Sequence, residues 1–304
     1  MASLYTHRDS NKRKTFFLMS FFFVLVIAFA WGIGWYLEAS WILYLAVIFA
    51  IGVNFFAYWN SHKIALALTG AKEITRKEYF DLWNAVENLS ITAGLPMPKV
   101  YIIKDRSPNA FATGRDPEHG VIVVTEGLLE ILNKTELEGV IAHELSHIGN
   151  RDILVSTVTV ILAGIIAIVA DIALRLMIYG GKGNSKGNTV IFVIAIAGAI
   201  LIPIAATMIR MSVSRKREYL ADTTGALLTR YPKGLADALE KIKNNSRRME
   251  KANHATAHLF INDPFSEPPK QKLHPERSFF MKLFATHPPI DERIKILRNK
   301  APRE

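Results

Sequence analysis

The pentapeptide His143-Glu144-Leu145-Ser146-His147 sets two imidazoles four residues apart, with a carboxylate beside the first. On an α-helix positions i and i+4 share a face, so the two histidines can bind one Zn²⁺ while Glu144 polarises a metal-bound water. That is equipment for hydrolysis. A catalytic zinc usually takes three protein ligands and leaves a fourth position open, so the pair is incomplete. Glu218, in Arg217-Glu218-Tyr219-Leu220-Ala221-Asp222, is the best third ligand. Asp222 falls on the same helical face, where it can accept a hydrogen bond from a ligand imidazole and hold its tautomer. Alone, Glu218 would read as the partner of Arg215 and Arg217 on a wet helix face. Beside two spaced histidines, coordination is the stronger reading.

These residues need elements to hold them. Thr135 with Glu138 reads as a capping box for the motif helix, and Leu137, Val140, Ile141, Leu145 and Ile148 give it an apolar face. Gly149-Asn150 either ends that helix or interrupts it. Residues 64–95 read as one amphipathic helix closed by Pro96 and Pro98. Residues 100–103 and 121–124 are β-branched runs that predict strands of a small sheet, and 107–114 between them predicts a third strand or an exposed edge. Downstream, 218–229 and 235–249 predict helices, 262–278 a loop rich in proline and charge, and 290–297 a last helix behind His287-Pro288-Pro289.

Half of the 304 residues are hydrophobic, and they gather in long runs. Phe16 to Tyr36 carries no charge and is long enough to cross a bilayer. Trp41 to Trp59 follows after four residues, which predicts a transmembrane hairpin rather than a cleaved leader. Arg8, Lys12, Arg13 and Lys14 precede the hairpin and Lys63, Lys72, Arg76 and Lys77 follow it, while the turn carries only Glu38. Both ends are therefore expected on the cytoplasmic side. Two further apolar runs, 153–170 and 190–209, predict a second membrane hairpin, spanning or re-entrant, around a polar Gly-rich stretch. The domain plan is then a basic tail at 1–15, a hairpin at 16–59, a first cytoplasmic part at 60–152, a second hairpin at 153–209 and a second cytoplasmic part at 210–304. The absence of cysteine excludes disulfides and Cys-ligated metal. The net charge of +10 clusters beside the apolar runs, which argues for anionic lipid as a partner and against nucleic acid.

Taken together and in order, Ser107-Pro108-Asn109-Ala110-Phe111-Ala112-Thr113-Gly114, His-Glu-Leu-Ser-His, Glu-Tyr-Leu-Ala-Asp and Thr286-His287-Pro288-Pro289-Ile290-Asp291-Glu292-Arg293 resemble the HtpX family. These are bacterial and archaeal membrane zinc proteases of the heat-shock response, related to the eukaryotic prenyl-protein protease. The likeness runs over nearly the whole chain. With the runs above, the expected fold is an α-rich membrane protein with a small β-sheet and four candidate transmembrane helices, and the resemblance adds that its cytoplasmic domain is of the gluzincin type. It also implies zinc on His143, His147 and Glu218, with Glu144 as general base. The expected substrates are membrane proteins or unfolded proteins, misfolded or damaged under stress, at the cytoplasmic face of the cell membrane.

Spacing adds an independent expectation. His147 lies six residues before one apolar run and Glu218 nine after another, so at about 1.5 Å per helical residue the metal sits within roughly 15 Å of the bilayer. His287 is the candidate donor to the tetrahedral oxyanion, or else a packing residue of the last helix. Asn109, Ala110, Phe111 and Ala112 are candidate substrate contacts along an edge strand, or Asn109 makes a plain Asx-turn. His254 and His258 repeat the i,i+4 spacing without a glutamate and read more readily as structural. Asp152 either supports the motif helix or marks its entry to the membrane. Against the active protease stand a zinc-free membrane scaffold and a narrow prenyl-protein protease. The complete set His143, Glu144, His147 and Glu218 speaks against the scaffold.

Overall fold

In the computed structural model the described residues are 4–36, 38–179, 215–253, 256–266 and 288–300. The fourth apolar run at 190–209, His254 and His287 lie outside them. Two long helices, α1 (Leu4–Tyr36) and α2 (Trp41–Thr69), form an antiparallel hairpin. Both contain stretches long and apolar enough to cross a membrane, Ser10–Gly32 and Trp41–Thr69. Their outer faces leave Phe16, Trp31, Trp35, Trp41, Ile48 and Phe55 more than half exposed, a display that suits lipid and would be costly in water.

The stretch 64–95 is not one helix. Gly70, at φ 70°, closes α2 with a left-handed turn, and the chain passes through a short strand β1 (Lys72–Glu73) before α3 (Phe80–Ala93). The amphipathic periodicity read from residues 64 to 95 ran across the end of one helix, a strand and a second helix.

The sheet has the order β1-β2-β4-β3, with β2 (Lys99–Ile103) parallel to β4 (Val121–Thr125) and β3 (Ala110–Thr113) antiparallel to β4 at the edge. After β4 come a short helix α4 (Glu126–Ile131) and the motif helix α5 (Lys134–Gly149). Its capping box is Asn133 with Glu136, not Thr135 with Glu138. The Asn133 side chain accepts from Glu136 N at 3.0 Å, and Glu136 Oε2 accepts from Asn133 N at 2.8 Å. Thr135 instead donates its hydroxyl to Asn133, so the same reciprocal device begins two residues earlier than the sequence pattern suggested.

Gly149-Asn150 ends α5. The next helix, α6 (Asp152–Tyr179), leaves at an 80° bend through Arg151 at φ 59°. Its apolar face is sandwiched with the hairpin: Leu154, Val155, Val158, Ile161 and Leu162 pack with Leu18 and Phe22 of α1 and Ala57 of α2. The remaining described helices are α7 (Arg215–Thr229), α8 (Pro232–Asn244) and α9 (Ile290–Lys300). They close over α5 and share one core with the sheet and α3, centred on Val140, Ile141, Leu145, Ile122, Leu239 and Leu297. At the α5–α7 crossing Gly225 lets the helices approach so closely that a Cβ there would stand 2.9 Å from His143 N.

Candidate metal centre

One helix carries both histidines and Glu144, and a second carries Glu218 and Asp222. The Gly225 crossing brings the two together. His143 Nε2 and His147 Nε2 lie 3.2 Å apart, His143 Nε2 is 3.8 Å from Glu218 Oε2, and His147 Nε2 is 3.6 Å from Glu218 Oε1. Ligands held about 2.0–2.1 Å from a tetrahedral ion stand roughly 3.3–3.5 Å from one another, so this triangle has the size that such an ion requires. Among the described residues these three form a group able to hold a metal.

The far side of each imidazole explains why its Nε2 turns inward. His143 Nδ1 is 3.0 Å from Asp222 Oδ1, and His147 Nδ1 is 3.1 Å from Asp152 Oδ2. A carboxylate can only accept, so each Nδ1 carries a proton and each Nε2 turns toward the other imidazole and Glu218. Two ring nitrogens 3.2 Å apart need a cation between them, a proton in the absence of a metal or the metal ion itself. The donor set therefore fits a metal ion on chemistry as well as on distance.

The surroundings are strongly charged and nearly dry. His143, Glu144, Glu218, Asp222 and Asp152 are all buried. Burial pushes the Glu144 carboxyl above its ordinary range, partly opposed by the two imidazoles. Burial would depress His147, but the Asp152 hydrogen bond and the Glu218, Asp152 and Glu144 charges outweigh it and push the imidazole up to about 9. Asp222 shows the opposite balance. Its burial is overcome by the Arg293 charge and the His143 contact, which hold it down to about 2.

Arg293 is the residue whose place the sequence reading missed. It stood inside the Thr-His-Pro-Pro-Ile-Asp-Glu-Arg segment without an assigned role. In the structure its side chain is fully buried, forks Asp222 at 2.7 and 2.9 Å and reaches Glu218 at 3.5 Å. A signal was present: Arg293 falls three residues after Ile290 and four before Leu297, on the apolar stripe of α9, where a charge is out of place unless it has buried partners.

A cleft opens on the triangle and is lined by Ala112, Glu144, Ser156, His258 and Leu259 besides the three candidate ligands. Of the four residues expected along the edge strand, only Ala112 reaches it. Asn109 is fully buried and its amide is used internally, donating to Asn262 O at 2.8 Å and accepting from Asn262 N at 3.1 Å. Phe111 packs edge-to-face on Phe260 at 4.9 Å, and Ala110 O accepts from Ile261 N. The family-like stretch thus clamps the 257–262 segment over the sheet. Asn109 O accepts from Thr125 N across the ladder and Ala110 O accepts from Ile261 N on the other side, so by alternation Ala112, though paired with Ile122, turns its backbone groups away from β4. His258 is buried with Nε2 3.3 Å from Ser156 O.

Comparison with known proteins places this architecture. The model of peptidase family M48 matches residues 77–301, about three quarters of the chain. The chain belongs to peptidase family M48. It is similar to a protein described as Protease HtpX homolog from Dictyoglomus turgidum, 45% identical over 97% of this chain and 94% of that one. Proteins with the same description from Tropheryma whipplei and Thermoanaerobacter pseudethanolicus are each 44% identical, covering 97% and 98% of this chain and 98% of each relative. Among solved structures, the crystal structure of S. mikatae Ste24p superposes with a TM-score of 0.50 at 20% identity. The match covers 84% of this chain, which spans 58% of that protein's length, and it shows a shared fold. The chain is thus a membrane-associated metallopeptidase with a His-His-Glu group able to bind its metal.

Proposed function

We propose that this M48 peptidase is a zinc-dependent endopeptidase, with His143, His147 and Glu218 as ligands and Glu144 as general base. The observation that carries the reading is the triangle of nitrogen and oxygen donors with a carboxylate behind each imidazole. Two imidazoles and one carboxylate suit zinc better than the hard oxygen-loving cations. A bound zinc supplies Lewis acidity at the scissile carbonyl and lowers the pKa of the attacking water. Glu144, buried at the cleft and one residue from His143, accepts the proton of that water on a carboxylate oxygen and delivers it to the leaving amine. Its raised pKa suits a group that must give the proton back. Ala112 offers outward backbone groups to an extended peptide, which would add as a strand beside β3. His287 is the proposed oxyanion donor, six residues before the buried Arg293 on the segment entering α9.

The membrane plan follows the charges. A basic tail at 1–15 and a hairpin at 16–59 precede cytoplasmic parts at 60–152 and 210–304, which flank a second hairpin at 153–209 to make four spans with both termini cytoplasmic. A reporter fused at Gly183 tests the second hairpin. Apolar packing of α6 on α1 and α2 sets the cleft beside the lipid-facing helices, which supports membrane proteins and unfolded segments near the cytoplasmic surface as substrates, in quality control under stress.

The deciding experiment compares the purified chain with Glu144→Gln for metal content and for turnover of casein and of a membrane-protein substrate. About one zinc per chain in both, with activity lower by roughly 10²–10⁴-fold in the variant, is expected. Turnover by Glu144→Gln near the unaltered level, or a chain active without metal, rejects the mechanism. Cleavage confined to freely soluble proteins rejects the membrane-substrate reading.

A further inference from the structure

The carboxylate behind His147 is itself held in place from an unexpected direction. Asp152 opens α6, just past the 80° bend that follows the motif helix, and presents Oδ2 to His147 Nδ1 at 3.1 Å. Its other oxygen, Oδ1, accepts from Asn11 Nδ2 at 2.6 Å and lies 3.7 Å from the Arg217 guanidinium. The same Asn11 nitrogen donates to Asn150 O at 3.0 Å, the carbonyl of the residue that caps α5. Asn11 belongs to α1, 139 residues away from Asn150, and lies outside the 77–301 stretch that the family model matches.

We propose that Asn11, on the first membrane helix, is a positioning residue of the metal site, acting on His147 through Asp152. The inference rests on the reading of His147 as a ligand. Three observations support it. Asn11 is 3% exposed, Asp152 4% and Asn150 2%, so no water competes for these bonds and each polar group depends on the others. A primary amide has two N–H bonds, and the bridged pair here is the carboxylate that orients the imidazole and the carbonyl at the end of the helix that carries it. Asn11 therefore fixes both the angle of Asp152 and the turn that separates it from His147. α1 also meets α6 through a separate apolar contact, Leu18 and Phe22 with Leu154, Val155 and Val158, so the polar bridge is not needed to hold the two helices together.

The physical consequence concerns ligand geometry. An imidazole whose Nδ1 is firmly bonded presents Nε2 along one direction. With a loosened carboxylate it rotates, and Asp152 turns toward Arg217 instead. Partners at this remove from a metal typically change its affinity by 10–100-fold when they are the carboxylate itself, and Asn11 stands one bond further out, so about tenfold is expected. The proteolytic centre would then be incomplete without the hairpin that anchors it.

A purely structural role for Asn11, tying α1 to the bend, predicts something different: lower stability with an unaltered site. The experiment uses the full chain in detergent micelles. Zinc affinity is measured by chelator competition and ligand geometry by the visible spectrum of the cobalt-substituted protein, for Asn11→Leu, Asn11→Ala, Asn11→Gln, Leu18→Ala and His147→Ala. Asn11→Leu should weaken zinc about tenfold and alter the cobalt bands, with Asn11→Gln recovering part of the loss because it keeps both N–H donors. Asn11→Ala supplies the same reading if the bulkier leucine prevents accumulation. Leu18→Ala, which loosens the same helix contact without touching Asp152, should lower the melting temperature and leave affinity and spectrum unchanged. Unaltered affinity and spectrum in the Asn11 variants that fold, or an equal loss in Leu18→Ala, overturns the proposal. His147→Ala separates the two readings. If it still binds zinc with unaltered affinity the ligand assignment fails, whereas if it loses zinc and the Asn11 variants do not, only the positioning role fails.

Discussion

The two imidazoles of the centre use one device built from different parts of the chain. Behind His143 stands Asp222, one turn from Glu218 on the same helix, and behind Asp222 stands the fully buried Arg293 of α9. Behind His147 stands Asp152, at the start of the apolar helix that packs on the hairpin, with Asn11 and Arg217 around it. The first half is assembled wholly within the domain that the family model covers. The second is assembled at the junction with the membrane helices. His143 has a side chain 1% exposed and His147 one 15% exposed, so the junction half is also the one that opens to the cleft. A buried anion can be neutralised by a charge or held by neutral donors, and the two halves lean toward opposite choices.

The largest expected effect lies in the first half. Arg293→Met leaves Asp222 and Glu218 buried without their cation, and a loss of about 3–5 kcal/mol in unfolding free energy is expected by denaturant titration. Arg293→Lys keeps the charge and loses the fork, so it should fall between the two. If Arg293→Met unfolds at the unaltered denaturant midpoint, the charge-compensated description of this half is wrong.

Next in size is the direct contrast of the two anchors. Asp222→Asn and Asp152→Asn should each weaken zinc by roughly 10–100-fold, measured by chelator competition. Above about pH 9, where His147 is neutral in either chain, only Asp222→Asn should also lower the melting temperature of the metal-free chain strongly, because it removes an anion that Arg293 needs. Asp152→Asn keeps an acceptor for the Asn11 amide. Equal stability losses in the pair would erase the distinction between the halves.

How far this was legible in the sequence follows the same division. The pair His143–His147 with Glu144 beside it, and the pair Glu218–Asp222, could each be read from spacing because helical i,i+4 geometry is local, whereas the meeting of the two pairs is a tertiary contact. The strands at 100–103 and 121–124 were legible for a similar reason, as β-branched runs between turn residues. What spacing could not give is contact between distant segments. Asn11 looked like part of a basic tail, and nothing around it says that its amide will meet a carbonyl 139 residues later. The Asn109 stretch was legible as a strand but not as a clamp, since its partner Asn262 lies in an irregular segment without periodicity. The helix across 64–95 was misread because Gly70 turns the chain left-handed and β1 follows it, and the apolar pattern alone does not show that break.

The smallest effect, and the one that separates the halves most cleanly, is a shift in pH dependence. Without an ion between the imidazoles, His147 is pushed up from its ordinary 6.5 to about 9. The protonated ring is the stabilised form, so its contribution to the metal-free fold is complete below about 6.5 and is lost as pH rises through about 9. Zinc needs the Nε2 lone pair and must displace that proton. Its affinity should therefore climb about tenfold per pH unit toward 9 for each proton displaced, then level off. In Asp152→Asn the hydrogen bond and one negative charge that raise the ring are gone, so the break should move down toward 6.5. In Asp222→Asn it should stay near 9, since Asp222 is not among the groups that lift His147. Chelator competition between pH 6 and 10 reads all three chains. A break that stays put in Asp152→Asn, or moves equally in both, would mean that the carboxylate at the membrane junction does not govern the imidazole it touches.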